Sequence, residues 1–115
     1  MSRGINLQLQ RSSGSEGTTA YDVLASGWNP SDELAQVGVV KLNHESKSWE
    51  FIPLGAWEGE DFYQPAWEDL VHPGRESPSA AEYNPRYEMW NRLLLSGLRR
   101  ILTEPAQRNG VSFQL

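Results

Sequence analysis

A chain of 115 residues with a formal net charge of −5, 38% apolar residues, five tryptophans and no cysteine has room for one domain and excludes a disulfide framework, a thiolate metal site or a cysteine nucleophile. Its mean hydropathy of −0.58 is low, yet so many large aromatic rings mark a chain that buries a core. No stretch approaches the roughly 20 apolar residues of a membrane span, and the N-terminus alternates polar and apolar residues with no h-region, which predicts a cytoplasmic protein without a secretory signal.

Residues 5–10 alternate strictly, with Ile5, Leu7 and Leu9 on one face and amides on the other, the pattern of a half-buried strand. Residues 11–19 are serine- and glycine-rich, contain nothing apolar and predict a flexible loop. Residues 20–28, with Tyr21, Val23 and Leu24, predict a second strand that ends at Gly27 before a turn or short helical start around Asn29, Pro30 and Ser31. The clearest β signal is 36–54, where two β-rich runs flank the polar loop 43–47 and form a hairpin. The unbroken run Val37, Gly38, Val39, Val40 predicts an interior strand covered at least partly on both faces, and Pro53 ends the second arm because proline cannot donate to a ladder.

Residues 55–78 form an irregular acidic and aromatic segment in which 65–72 predict one or two helical turns, with Pro65 at the first helical position and His72 near the end. A connection of this length in a small domain tends to be functional. The long helix is predicted over about 85–104, with Asn84 as its N-cap and Pro85 following. Tyr87, Trp90, Leu94, Leu98 and Ile101 make its apolar stripe, flanked by Leu93, Leu95 and Leu102, while Arg86, Arg92, Arg99 and Arg100 are placed on a solvated face. Pro105 stops the helix, and Asn109 and Gly110 turn the chain into a final alternating strand over 110–115. The predicted fold is α+β, a single domain over 1–115: an antiparallel sheet of about five strands with the one long C-terminal helix packed on one face.

Charge is unevenly spread along this order. Between residues 58 and 82 there are seven acids against Arg75 alone, whereas from 83 onward Arg86, Arg92, Arg99, Arg100 and Arg108 face only Glu88 and Glu104. The two regions either pair within the fold or leave the acids to steer a basic partner. An isoelectric point near 4.9 and dispersed arginines argue against nucleic acid.

Catalytic signatures are sparse. No phosphate loop or nucleophile elbow occurs, and the two histidines show no metal-ligand spacing. Glu68 and His72 stand four apart, which suits a helix-end histidine near the dipole, and His44 with Glu45 falls at a solvated hairpin tip. We therefore assign no catalytic residue, no metal ligand and no cofactor. What rises above background is Trp57, Glu58, Glu60, Asp61, Phe62, Tyr63, Trp67, Glu68 and Asp69, where rings interleaved with acids suit an interface of desolvated anchors and a charged rim. The leading expectation is a non-catalytic cytoplasmic interaction protein binding a basic protein partner, with no nucleic acid and no membrane, for example an inhibitor or immunity-type protein against a basic toxin or enzyme. The alternative is a small-ligand or carbohydrate-binding domain that stacks its ligand on the same rings. A small hydrolase using His72 and neighbouring acids ranks third. The leucine-rich helix face is read as core, with a homodimer as its other use.

Overall fold

The computed structural model describes residues 5–15, 17–27, 33–72 and 87–114. Five antiparallel strands, β1 (Asn6–Ser15), β2 (Thr18–Ser26), β3 (Ala35–Asn43), β4 (Ser48–Pro53) and β5 (Gly110–Gln114), lie in the order β4-β3-β2-β1-β5. The short helix α1 (Trp67–Val71) and the long helix α2 (Glu88–Thr103) fall between β4 and β5, so the architecture is α+β. No helix among the described residues is long and apolar enough to cross a membrane.

Alternation decides which face is covered. Leu7 and Leu9 of β1, Tyr21, Val23 and Ala25 of β2, Phe51 of β4 and Val111 of β5 are buried together with Leu94, Leu98 and Ile101 of α2. Each fully buried aliphatic side chain of this kind stabilises the fold by about 1.5–3 kcal/mol relative to exposure. Gln8, Gln10, Lys41, Glu50 and Ser112 occupy the opposite, uncovered face. Helix α2 packs against β1 and β5 at Gly97, where an added Cβ would stand 2.9 Å from Leu9 Cδ1 and 3.0 Å from Val111 Cγ2.

Several details differ from the sequence-based expectation. The predicted flexible loop over 11–19 is instead the far end of the β1–β2 hairpin, in which Ser13, Gly14 and Ser15 pair with Ala20, Thr19 and Thr18. Main-chain pairing needs no apolar side chains; Ser12 Oγ also bonds to the Ala20 carbonyl at the bulge, and Gly17 turns the chain at φ +84°. The second strand therefore runs Thr18–Ser26 rather than 20–28, and Trp28 with the turn at 29–32 lies outside the described residues.

β3 is an interior strand between β4 and β2, and its apolar run is buried on one face and partly covered on the other, with a bulge adding to the run. The β2–β3 register slips between Val23 and Leu24, whose partners are Gly38 and Gln36, leaving Val37 as the extra residue of a bulge. Val37 and Val40 are thus both buried although three residues apart, while Val39 stays only partly covered. At Gly38 any Cβ would run into the Phe51 ring.

The expected N-cap at Asn84, with Pro85 and Arg86, lies outside the described residues, as does Leu115 beyond β5 and residues 73–78 of the irregular segment. In α1 the N-cap is Ala66 and the first helical residue Trp67, so Pro65 precedes the helix rather than opening it. Arg99 does not lie on a solvated face: its Nε–H donates to the Leu70 carbonyl at 2.9 Å and ties the end of α1 to α2.

Candidate interaction site

The chain leaves β4 at Pro53, passes through a 3-10 turn at Gly55–Trp57, and then runs as a strap beside the outer edge of β4 before entering α1. The Leu54 N–H bonds to the Val37 carbonyl at 2.9 Å, which fixes where the strap departs. Three side chains then hold it. Asn91, fully buried on α2, accepts from the Tyr63 N–H at 2.8 Å and donates to the Tyr63 carbonyl at 3.1 Å. Gln64 does the converse to the sheet, accepting from the Phe51 N–H at 3.0 Å and donating to the Phe51 carbonyl at 3.1 Å. The Trp49 indole N–H donates to the Pro65 carbonyl at 2.8 Å. Each amide completes a strand-like pair of bonds, so the backbone of an irregular segment stays satisfied without secondary structure.

Rings pin the strap from within. Trp57 and Phe62, only 5% and 2% exposed, stack with centroids 5.1 Å apart, and Phe51, Tyr87 and Trp90 pack around them at 5.1–6.2 Å. Contacts of this geometry are worth about 0.5–1.5 kcal/mol each beyond the area they bury.

The nine residues singled out in the sequence therefore lie on one stretch of chain but are divided in role. Trp57 and Phe62 point into the core and form the foundation of the strap. Glu58, Asp61 and Glu68 are exposed, while Glu60, Tyr63, Trp67 and Asp69 are partly covered. Trp67 meets the His44 ring edge-on at 5.6 Å, and His44 Nε2 lies 3.0 Å from Thr19 Oγ1, so the β3–β4 hairpin tip is fastened to both β2 and α1. Glu68 pairs with His72 at 3.2 Å along α1.

The arginines of α2 reach other targets: Arg92 pairs with Glu88 one turn away, Arg99 bonds to the Leu70 carbonyl, and Arg100 lies 4.9 Å over the Phe113 ring of β5. Arg108 contributes its carbonyl to the Tyr21 hydroxyl at 2.6 Å. Burial raises the Tyr21 pKa above its ordinary value, with the Arg11 and Arg108 charges acting the other way. Acids thus gather at the β4 side of the sheet, whereas the arginines are divided: Arg99 reaches α1, and Arg100 and Arg108 stand beside β5.

Asn91, Gln64 and Arg99 were not anticipated from the sequence. Asn91 alone carried a signal, since an asparagine at the spacing of Tyr87, Leu94 and Leu98 interrupts an apolar stripe.

Among the described residues no group of three or more histidines and acids is placed to hold a metal ion. A groove of about 530 Å³ opens on the uncovered face, lined by Ser13, Thr18, Ala20 and Ser48 with Lys41 and Glu50. Lys41 and Glu50, which are cross-strand partners, are its ionisable side chains among the described residues. No family model matches the chain, and no curated protein or solved structure matches it significantly.

Proposed function

We propose that this is a non-catalytic cytoplasmic interaction protein that binds a basic protein partner through the outer surface of residues 58–69, an inhibitor or immunity-type protein against a basic toxin or enzyme being its concrete form. The observation that carries the reading is the division of labour in the strap. Buried rings and two bidentate amides hold the backbone, while Glu58, Asp61 and Glu68 project outward from it. A preorganised acidic surface loses little entropy on docking and accelerates encounter with a basic protein. The sugar-platform reading is less well supported, because Trp57 and Phe62 have no free ring face to offer.

The test is a low-salt pull-down from the native host followed by binding kinetics with the captured protein. Glu58→Lys combined with Glu68→Lys should slow association by about tenfold or more at low ionic strength, with the difference shrinking as salt rises. Trp67→Ala should chiefly speed dissociation. Unchanged association of the double variant would refute the reading.

A further inference from the structure

The two edges of the sheet are finished differently. At β4 the Gln64 side chain occupies both the N–H and the carbonyl of Phe51, and Pro53 closes the strand. That is how proteins blunt an edge against unwanted pairing. At the other end of the order β5 pairs only with β1, and among the described residues no strand lies outside it. Its residues Gly110, Val111, Ser112, Phe113 and Gln114 include no proline and no charge, and its register with β1 runs without a bulge. Among the described residues none of the usual blocking devices is present on this strand.

The surroundings of β5 are basic although the protein is acidic. From Glu88 onward the chain carries Arg92, Arg99, Arg100 and Arg108 against Glu88 and Glu104, with Arg92 paired to Glu88 and Arg99 bonded to the end of α1. Two of these stand at β5 itself: Arg108 in the turn that leads into it, and Arg100 over Phe113. On the uncovered face beside the strand a shallow groove of about 460 Å³ is lined by Gln8, Gln10, Gln107 and Asn109. Their amides can donate to carboxylates.

We propose that the outer edge of β5 is a strand-addition site for an extended acidic segment of another protein. Main-chain bonds to β5 supply the affinity, and alternate acidic side chains of the added strand reach Arg100 and Arg108 on one side and the amide groove on the other. Charge selects this occupant over a second copy. Two-fold pairing of β5 with itself would bring two sets of Arg100 and Arg108 to one seam, and like charges brought together oppose association. The site is separate from the acidic strap, so either can hold when the other fails.

The full-length protein, labelled with ¹⁵N, is titrated with acetyl-Val-Glu-Val-Glu-Val-Glu-amide and, separately, with the same peptide carrying lysine for glutamate. The acidic peptide should shift the amides of residues 110–114 together with the side-chain amides of Gln8 and Gln10, saturating in the millimolar range. Arg100→Glu with Arg108→Glu should weaken it by about tenfold at low salt, the spectrum itself showing that the variant is folded. At physiological ionic strength Glu58→Lys with Glu68→Lys should leave it unchanged. The proposal is overturned by shifts that are absent or lie elsewhere, by equal effects of the lysine peptide on β5, or by light scattering that finds a dimer in which β5 amides are protected without peptide.

Discussion

Replacing Asn91 with alanine tests whether the strap is held by a side chain or merely lies where the rings put it. Asn91 is 0% exposed, and both atoms of its amide bond to the backbone of a single residue, Tyr63, at 2.8 and 3.1 Å. Alanine removes two hydrogen bonds, each worth about 1 kcal/mol net, and strands a partly buried N–H and carbonyl at about 1–3 kcal/mol more. We expect Asn91→Ala to lose about 3–5 kcal/mol of a total in the usual range of about 5–15 kcal/mol, leaving a folded but loosened protein. Asn91→Asp should lose at least as much, because it keeps the acceptor for the Tyr63 N–H but aims a buried carboxylate at the Tyr63 carbonyl. Urea denaturation followed by tryptophan fluorescence gives the global loss, and hydrogen exchange shows whether amides 60–66 open before the sheet does. If both variants stay within about 0.5 kcal/mol of the parent, as a neutral surface substitution would, the clamp contributes nothing and the ring cluster alone anchors the strap.

Gln64→Ala should cost about 1–2 kcal/mol for its two bonds to Phe51; by reopening the β4 edge it should also promote self-association, visible as a concentration-dependent rise in light scattering that the parent lacks. Tyr21→Phe probes pH. Because burial holds the folded-state Tyr21 pKa above the unfolded value of about 10, its neutral form contributes stability that is complete below that pH and is lost as pH rises through the folded value. The variant should be less stable at neutral pH by about 1 kcal/mol, for the lost bond to the Arg108 carbonyl, and should narrow that gap above pH 10 in alkaline urea titrations. A constant gap would refute the assignment.

The legible parts of the fold were those decided by periodicity. The alternation around Leu7, Leu9 and Val111 and the spacing of Leu94, Leu98 and Ile101 depend only on which side faces a core, and those residues are buried together. The hairpin beyond Arg11 was not legible, since its pairing is made by backbone groups that every sequence possesses. The bulge at Val37 was hidden for a related reason: an extra residue in a strand resembles an unbroken apolar run until its partner strand is known. In the candidate site, composition singled out one stretch of chain, but alternation could not tell the inward Trp57 and Phe62 from the outward Glu58 and Asp61. Non-local bonds from Gln64 and Asn91 set that orientation, 13 and 28 residues from their partners.

The fold also changes what the net charge of −5 means. With β4 and β5 at opposite ends of a five-stranded order, the acidic strap and the arginine-flanked edge are separated by about four strand spacings, roughly 19 Å. That exceeds the Debye length of about 8 Å at physiological ionic strength but not the length of about 30 Å at 0.01 M salt. At physiological salt each edge is therefore governed by its own charges, and a basic partner at the strap and an acidic strand at β5 should bind independently. At low salt the two fields overlap, and neutralising one edge should alter affinity at the other. Titrating one charged peptide in the presence of the other at both ionic strengths measures this coupling. Equal coupling under both conditions would mean that the edges communicate through the packing of α2 rather than through solvent.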